Sequence, residues 1–352
     1  MKKIIVIGLI LVMLTTVIAG CGTSDTSNPT TAPSSQPTDA PSTDTSLKTG
    51  LSVMTSVANS AEPGEKDGLA QSNVLIVAVT LDTAGVIQDC AIDYVQAKIN
   101  FNTDGALITA IDTVFASKRE LGDDYGMRKA SAIGKEWFEE ADALEAYVTG
   151  KTLAEVKGIA LDDSGHATDV ELSTSVTIGL GDYISGIENA VANTTDLGAK
   201  KGDKIGIGTT ATMDHSKDAA DDASGVAQAY VNIAVATVDG SGTVTSCIID
   251  AVQANVNFTK AGKIETDLTV ASISKLELGD GYGMKKASAI GKEWYEQANA
   301  FAAYVTSKNL AAIKGIALDE TGLATDAEIT ASTTVHVGPF IANIEKALNA
   351  AV

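Results

Sequence analysis

The sequence predicts an α+β fold built twice, as two tandem copies of a small antiparallel-sheet module with packed helices. Glu120–Glu140 returns at Glu277–Gln297 with only four differences. A shift of 157 residues holds the copies in register from Gly68/Gly225 to Ala190/Ala347 without insertion or deletion. Within each copy the strand patterns come first and the helical periodicity second, an order that belongs to α+β modules rather than alternating α/β ones. A module of about 150 residues has normal domain size, far above the 20–50 residues of a solenoid repeat.

The chain opens with Lys2 and Lys3, an apolar run from Ile4 to Leu14, and then Val17-Ile18-Ala19-Gly20-Cys21. This is a charged start, an apolar stretch and small residues before a cleavage point, too short for a membrane span. It resembles the lipobox of bacterial lipoproteins, which implies a signal peptide over residues 1–20 and acylation of Cys21; an ordinary secretory signal is the alternative. Residues 21–46 are almost wholly Ser, Thr, Pro, Asp and Ala, with Pro29, Pro33, Pro37 and Pro41 evenly spaced. So little apolar surface cannot offset ordering entropy, and a polyproline-like stalk at ~3.1 Å per residue is expected. Repeat modules over 47–197 and 198–352 follow.

Each module begins with strands. Asn73–Leu81 is β-rich and runs through the turn Asp82-Thr83-Ala84-Gly85 into Val86–Gln96, with Tyr230–Val238 and Val244–Gln253 as the second copy. A further strand through Asn100-Phe101 and Asn257-Phe258 completes an expected meander. From Ser131 to Val148 the period turns helical, with Ile133, Trp137, Ala141, Leu144, Tyr147 and Val148 on one face. Ser131 is the expected N-cap, and Gly150 follows the last turn. A short segment at Leu153–Val156, a turn through Gly158–Gly165, the run Asp169–Ile178 and an amphipathic helix from Gly181 to about Ala192 close the module.

The formal charge is −20, and −22 once Lys2 and Lys3 leave with the signal. Such a chain repels phosphate backbones and anionic headgroups, which argues against nucleic acid as a partner and leaves membrane attachment to the lipid.

Little in the sequence offers catalysis. His166, His215 and His336 lie opposite Leu323, Ala58 and Gly179, so no histidine is shared between the copies and no Ser-His-Asp arrangement or histidine-based metal site is expected. Cys90 and Cys247 are matched and alternate with apolar neighbours. They read as buried small hydrophobes or as one disulfide between the modules. Asp93/Asp250 and Gln96/Gln253 lie on a strand and face a ligand or water. The turn Gly122–Gly126, with Tyr125/Tyr282 and the nearby Lys129/Lys286, is either a tight connection or a lip around an anionic ligand: an aromatic face, a cation and a helix start.

The tail of each module carries the closest resemblance. Thr330-Ala331-Ser332-Thr333-Thr334 feeds an amphipathic helix, and the whole module resembles the FMN-binding domain family, found in flavin-carrying reductase subunits and flavinylated surface lipoproteins. In that family the last threonine of a Ser-Gly-Ala-Thr-like loop carries FMN through a phosphodiester bond. The resemblance implies Thr333 as the acceptor, with Ser332 beside it. The first copy reads Ser173-Thr174-Ser175-Val176, whose valine has no hydroxyl, so Thr177 and its partner Thr334 are the alternative acceptors. The glycine of the family loop is absent from both copies. The implied function is that of a membrane-anchored extracytoplasmic electron carrier, not a hydrolase or transferase, with flavin as the redox centre and redox proteins as partners. The alternative is a non-enzymatic surface module that binds a small ligand, a cell-wall component or a partner protein.

Overall fold

The computed structural model describes residues 45–351. The expected signal peptide, the lipidation of Cys21 and nearly all of the expected stalk lie outside them. No helix among the described residues is long and apolar enough to cross a membrane.

The first repeat contributes β1 (Ser46–Ser56), β2 (Gly68–Leu81), β3 (Ile87–Phe101), β4 (Val114–Phe115), α1 (Lys118–Leu121), α2 (Trp137–Val148), α3 (Leu153–Lys157), α4 (Val170–Ser173) and α5 (Gly181–Ala192). After the connecting β5 (Thr195–Lys200), the second contributes β6 (Lys204–Thr212), β7 (Gly225–Val238), β8 (Val244–Phe258), α6 (Lys275–Leu278), α7 (Trp294–Val305), α8 (Leu310–Lys314), α9 (Ala327–Thr330) and α10 (Gly338–Ala350). These form two antiparallel four-stranded sheets, ordered β3-β2-β1-β5 and β4-β6-β7-β8. The α+β class and the two-sheet build agree with the sequence pattern.

Alternation along β2 shows how the sheets stack. Leu75, Val77, Val79 and Leu81 pack with Trp137, Leu144, Tyr183 and Ile187 of the covering helices. Val74, Ile76 and Ala78 point the other way and pack with Ile205, Ile207, Val231, Ile233 and Val235 of the second sheet. Strands covered on both faces read as continuous apolar runs rather than alternating ones, as β2 and β7 do. The result is four layers: helices, sheet, sheet, helices. Gly50 and Gly208 let the outer helices ride close on the sheets, since a Cβ there would lie about 2.0 Å from Ala190 O and 1.9 Å from Asn343 O, respectively.

The two repeats are therefore not separate globules: the described residues form one compact unit, with two of its apolar clusters drawn from both copies. Contacts across the middle are nearly reciprocal, with equivalent donors and with acceptors offset by one position. Leu107 N–H donates to Asp218 (2.7 Å) and its equivalent Ile264 N–H to Glu62 (3.0 Å). β4 pairs with β6 of the other copy, and β5, which runs across residues 197 and 198, pairs with β1.

Two local expectations change, and one open alternative is decided. β3 runs unbroken to Phe101, so the strand at Asn100-Phe101 is its end and β1 supplies the third strand of the meander. Helix α2 begins at Trp137 rather than after Ser131, because Glu136 N–H is held by the Glu139 carboxylate (2.8 Å) while the Glu136 carboxylate takes the N–H groups of Met127 and Arg128 (2.8 Å each). That buried carboxylate, repeated at Glu293, folds residues 127–136 into a turn, and Ser131 instead donates to Glu140 (2.9 Å). Cys90 and Cys247 are free and buried, so they pack as small hydrophobes.

Candidate functional site

The hydroxyl-rich tail loops are used internally. Thr333 is 2% exposed and its hydroxyl donates to Gln297 O (3.0 Å). The Thr334 hydroxyl and N–H both donate to Gln297 Oε1 (3.1 and 2.7 Å), and those of Thr177 donate to the Glu140 carboxylate (2.9 and 2.6 Å). Ser175 and Ser332 donate to the carbonyls of Leu172 and Ile329. A flavin phosphate needs a presented hydroxyl, and these face Glu140, Gln297 or backbone carbonyls instead. In this arrangement the residues do not fit covalent FMN.

The candidate tyrosines lie elsewhere, around a lysine. Lys118 Nζ stands over Tyr94 (4.0 Å), Tyr125 (4.6 Å) and Trp137 (5.2 Å), and Lys275 Nζ over Tyr230 (4.6 Å), Tyr282 (4.6 Å) and Trp294 (5.2 Å). Facing π clouds attract an ammonium. Burial nevertheless pulls both lysines down to about 8, opposed by the charges of Asp93 and Asp250. The third ring has moved between the copies: Tyr94 has Ala251 as its equivalent on β8, whereas Tyr230 on β7 has Asn73. The cage survives this exchange because the two positions flank the same patch of sheet. Lys129 and Lys286 are exposed and outside the cages.

The copies differ in charge beside β3 and β8. In the first, Arg119 Nη1 pairs with Asp142 (2.6 Å), its Nη2 pairs with Glu145, and its Nε donates to Ile92 O (2.6 Å). Glu145 also accepts from Ile92 N–H (2.5 Å), and its burial pushes it up to about 7 despite Arg119. In the second copy Arg119, Asp142 and Glu145 become Leu276, Asn299 and Ala302. Three long charged side chains are thus replaced by shorter or uncharged ones, and a cavity of about 650 Å³ lies there, against about 340 Å³ beside the ion-paired cluster.

The larger cavity has an apolar interior and a polar mouth. Leu51, Val53, Leu197, Ile248, Leu276 and Ala302 supply the apolar wall, and the exposed Asn193, Thr195, Glu277 and Asn299 supply the rim. Cys247, held by burial up to about 12, is an inert part of the wall. Asp250 lies on the same lining at 2% exposure, taking the N–H groups of Ala251 (2.7 Å) and Leu276 (2.9 Å), and burial pushes it up to about 6. Such a lining suits a small apolar molecule with a few fixed polar contacts. Two carboxylates and no basic residue face the cavity, so it does not fit a flavin phosphate either. Sequence reasoning singled out Asp250 but missed the cavity. Its signal was the coordinated loss of one arginine and two acids between otherwise matched copies.

Comparison with known proteins gives one partial likeness. The chain is 33% identical over 110 residues to a chlorophenol reductase of Desulfitobacterium hafniense, covering 28% of this chain and 33% of that protein. The chain thus spans about a third of the length of the curated relative it matches. No family model matches, and no solved structure matches.

Proposed function

We propose that this protein is a lipid-anchored, extracytoplasmic component of a redox-related process that holds one small, largely apolar ligand in the cavity that β8 and α7 of the second repeat form with β1 and β5. The observation that carries the reading is the replacement of Arg119, Asp142 and Glu145 by Leu276, Asn299 and Ala302, with the larger cavity at that place. The lipobox-like start supports the anchoring, and the partial likeness to a reductase named for a chlorinated aromatic substrate supports the redox setting. Binding here needs no catalytic group; the first repeat supplies Leu51 and Val53 to the wall, while its own equivalent place is occupied by the Arg119 ion pairs. Electron transfer through a threonine-linked flavin is not part of the reading, because the hydroxyls it requires are buried or turned inward.

The test is titration of the purified mature protein with the uncharged dye Nile red. One saturable site is expected, lost when Leu276→Arg, Asn299→Asp and Ala302→Glu together restore the ion pair. Dye binding unaltered by that triple substitution would overturn the reading.

A further inference from the structure

The ligand's charge can be read from what the cavity has lost. In the first repeat both acids corresponding to the cavity's carboxylates are matched by cations. Glu120 pairs with Lys346 across the repeats (2.6 Å), and Asp93 is buried within the field of Arg119. Their equivalents Glu277 and Asp250 keep the acidic groups, but the cations are gone: Leu276 replaces Arg119, and Asn189 stands where symmetry would place Lys346. Lys275, caged by its aromatic rings, is the cation that remains near Asp250. It is not on the cavity lining, which contains no lysine, arginine or histidine.

A carboxylate at the edge of an apolar cavity is poorly solvated, and a positive charge brought beside it gains more than the same pair gains in water. The first repeat contains a cation of its own at this place, the guanidinium of Arg119 on its aliphatic stem. The geometry points to an apolar organic cation as the ligand: a hydrophobic body in the pocket of Leu51, Val53, Leu197 and Ile248, with an ammonium directed at Asp250 and Glu277. This rests on the small-ligand reading above and narrows it. Anionic aromatics are disfavoured by the same two carboxylates and by the net charge of −20.

The test uses two probes of equal shape, (1-naphthylmethyl)trimethylammonium and its uncharged carbon isostere 1-neopentylnaphthalene, each titrated into the mature protein by displacement of Nile red. The cation is expected to bind at least about tenfold tighter than the isostere. That ratio should fall toward one in the double variant Asp250→Asn/Glu277→Gln, and it should shrink with added salt. An isostere that binds as well as the cation overturns the charge assignment while the small-ligand reading stands. A protein that takes up neither Nile red nor either probe overturns both. The ratio within one variant is its own control for any loss of folding.

Discussion

Phe101 and Phe258, equivalent residues of the two repeats, stack on one another with ring centroids 4.3 Å apart and 13° between their planes. Both are fully buried, and Gly68 and Gly225 give them room: a Cβ at either glycine would come within about 2.6 Å of a ring. Either Phe→Ala substitution is expected to cost ~3–5 kcal/mol. The double variant should cost less than the sum by ~0.5–1.5 kcal/mol, the coupling of an aromatic pair. Urea denaturation of the four-protein cycle measures this, and strict additivity would show that the two repeats do not cooperate through this stack.

The cavity should be transferable. Arg119→Leu, Asp142→Asn and Glu145→Ala together give the first repeat the side chains of the second, and Nile red stoichiometry should rise from one to two. Replacing a partly buried ion-pair cluster with apolar groups is often neutral or stabilising, so the melting temperature should hold. Glu145→Ala alone, which leaves Ile92 N–H without its acceptor and Arg119 with Asp142 as its one remaining carboxylate, should instead destabilise by ~1–3 kcal/mol.

Asp250 fixes a pH dependence. Its folded value of about 6 lies above the unfolded value of ~3.9. Between those values the folded state holds a proton that the unfolded state has lost, so this group's contribution falls as pH rises through the window. Asp250→Asn removes the cost while keeping an acceptor for Ala251 and Leu276. The variant's stability relative to wild type should therefore grow from pH 4 to pH 7, by on the order of 1–3 kcal/mol, and then level off. Denaturant midpoints at pH 4.5 and 7.5 decide it; a constant difference would remove Asp250 from the account.

The caged lysines should titrate ahead of the others. Carbon-detected NMR of the lysine side chains is expected to place Lys118 and Lys275 near 8. Only Lys275 donates to a phenol oxygen, that of Tyr230 at 2.8 Å. Tyr230→Phe removes that acceptor and should lower the value for Lys275 while leaving Lys118 unmoved. Because both lysines lose their protons earlier in the folded state, their contribution to stability should rise between about pH 8 and 10.5.

Thr333 is tested by making the second copy resemble the first. Thr333→Val removes one neutral hydrogen bond to Gln297 O, a carbonyl already inside helix α7, and should change stability by less than ~1.5 kcal/mol. Wild-type protein from cells carrying a flavin transferase should have the same mass as protein from cells without it. A flavin adduct on Thr333 would show that this loop opens.

The duplication, the fold class and the helix Gly181–Ala192 were legible because they depend on pattern alone. What escaped depended on partners distant in the chain. β1 and β6 carry Gly50, Gly206 and Gly208 where strand propensity would place bulky residues, and those glycines answer to α5 and α10. Ser131 has the chemistry of an N-cap, but Glu136 competes for the helix start from a buried position that local sequence does not reveal. At the tail, Thr333 and Thr177 have the hydroxyls that flavin attachment requires, yet Gln297 and Glu140, nearly forty residues upstream, engage them.

The sandwich also bears on ancestry. Phe101 meeting its own equivalent, together with the exchanged bonds of Leu107 and Ile264, is the signature of an isologous contact, the kind that joins two identical subunits about a twofold axis. A chain of one repeat would leave one whole sheet face uncovered, the face that a second copy of itself would cover in a homodimer. Joined in one polypeptide, the halves need not be identical: one has its arginine and acids, and the other has an opening at the same place.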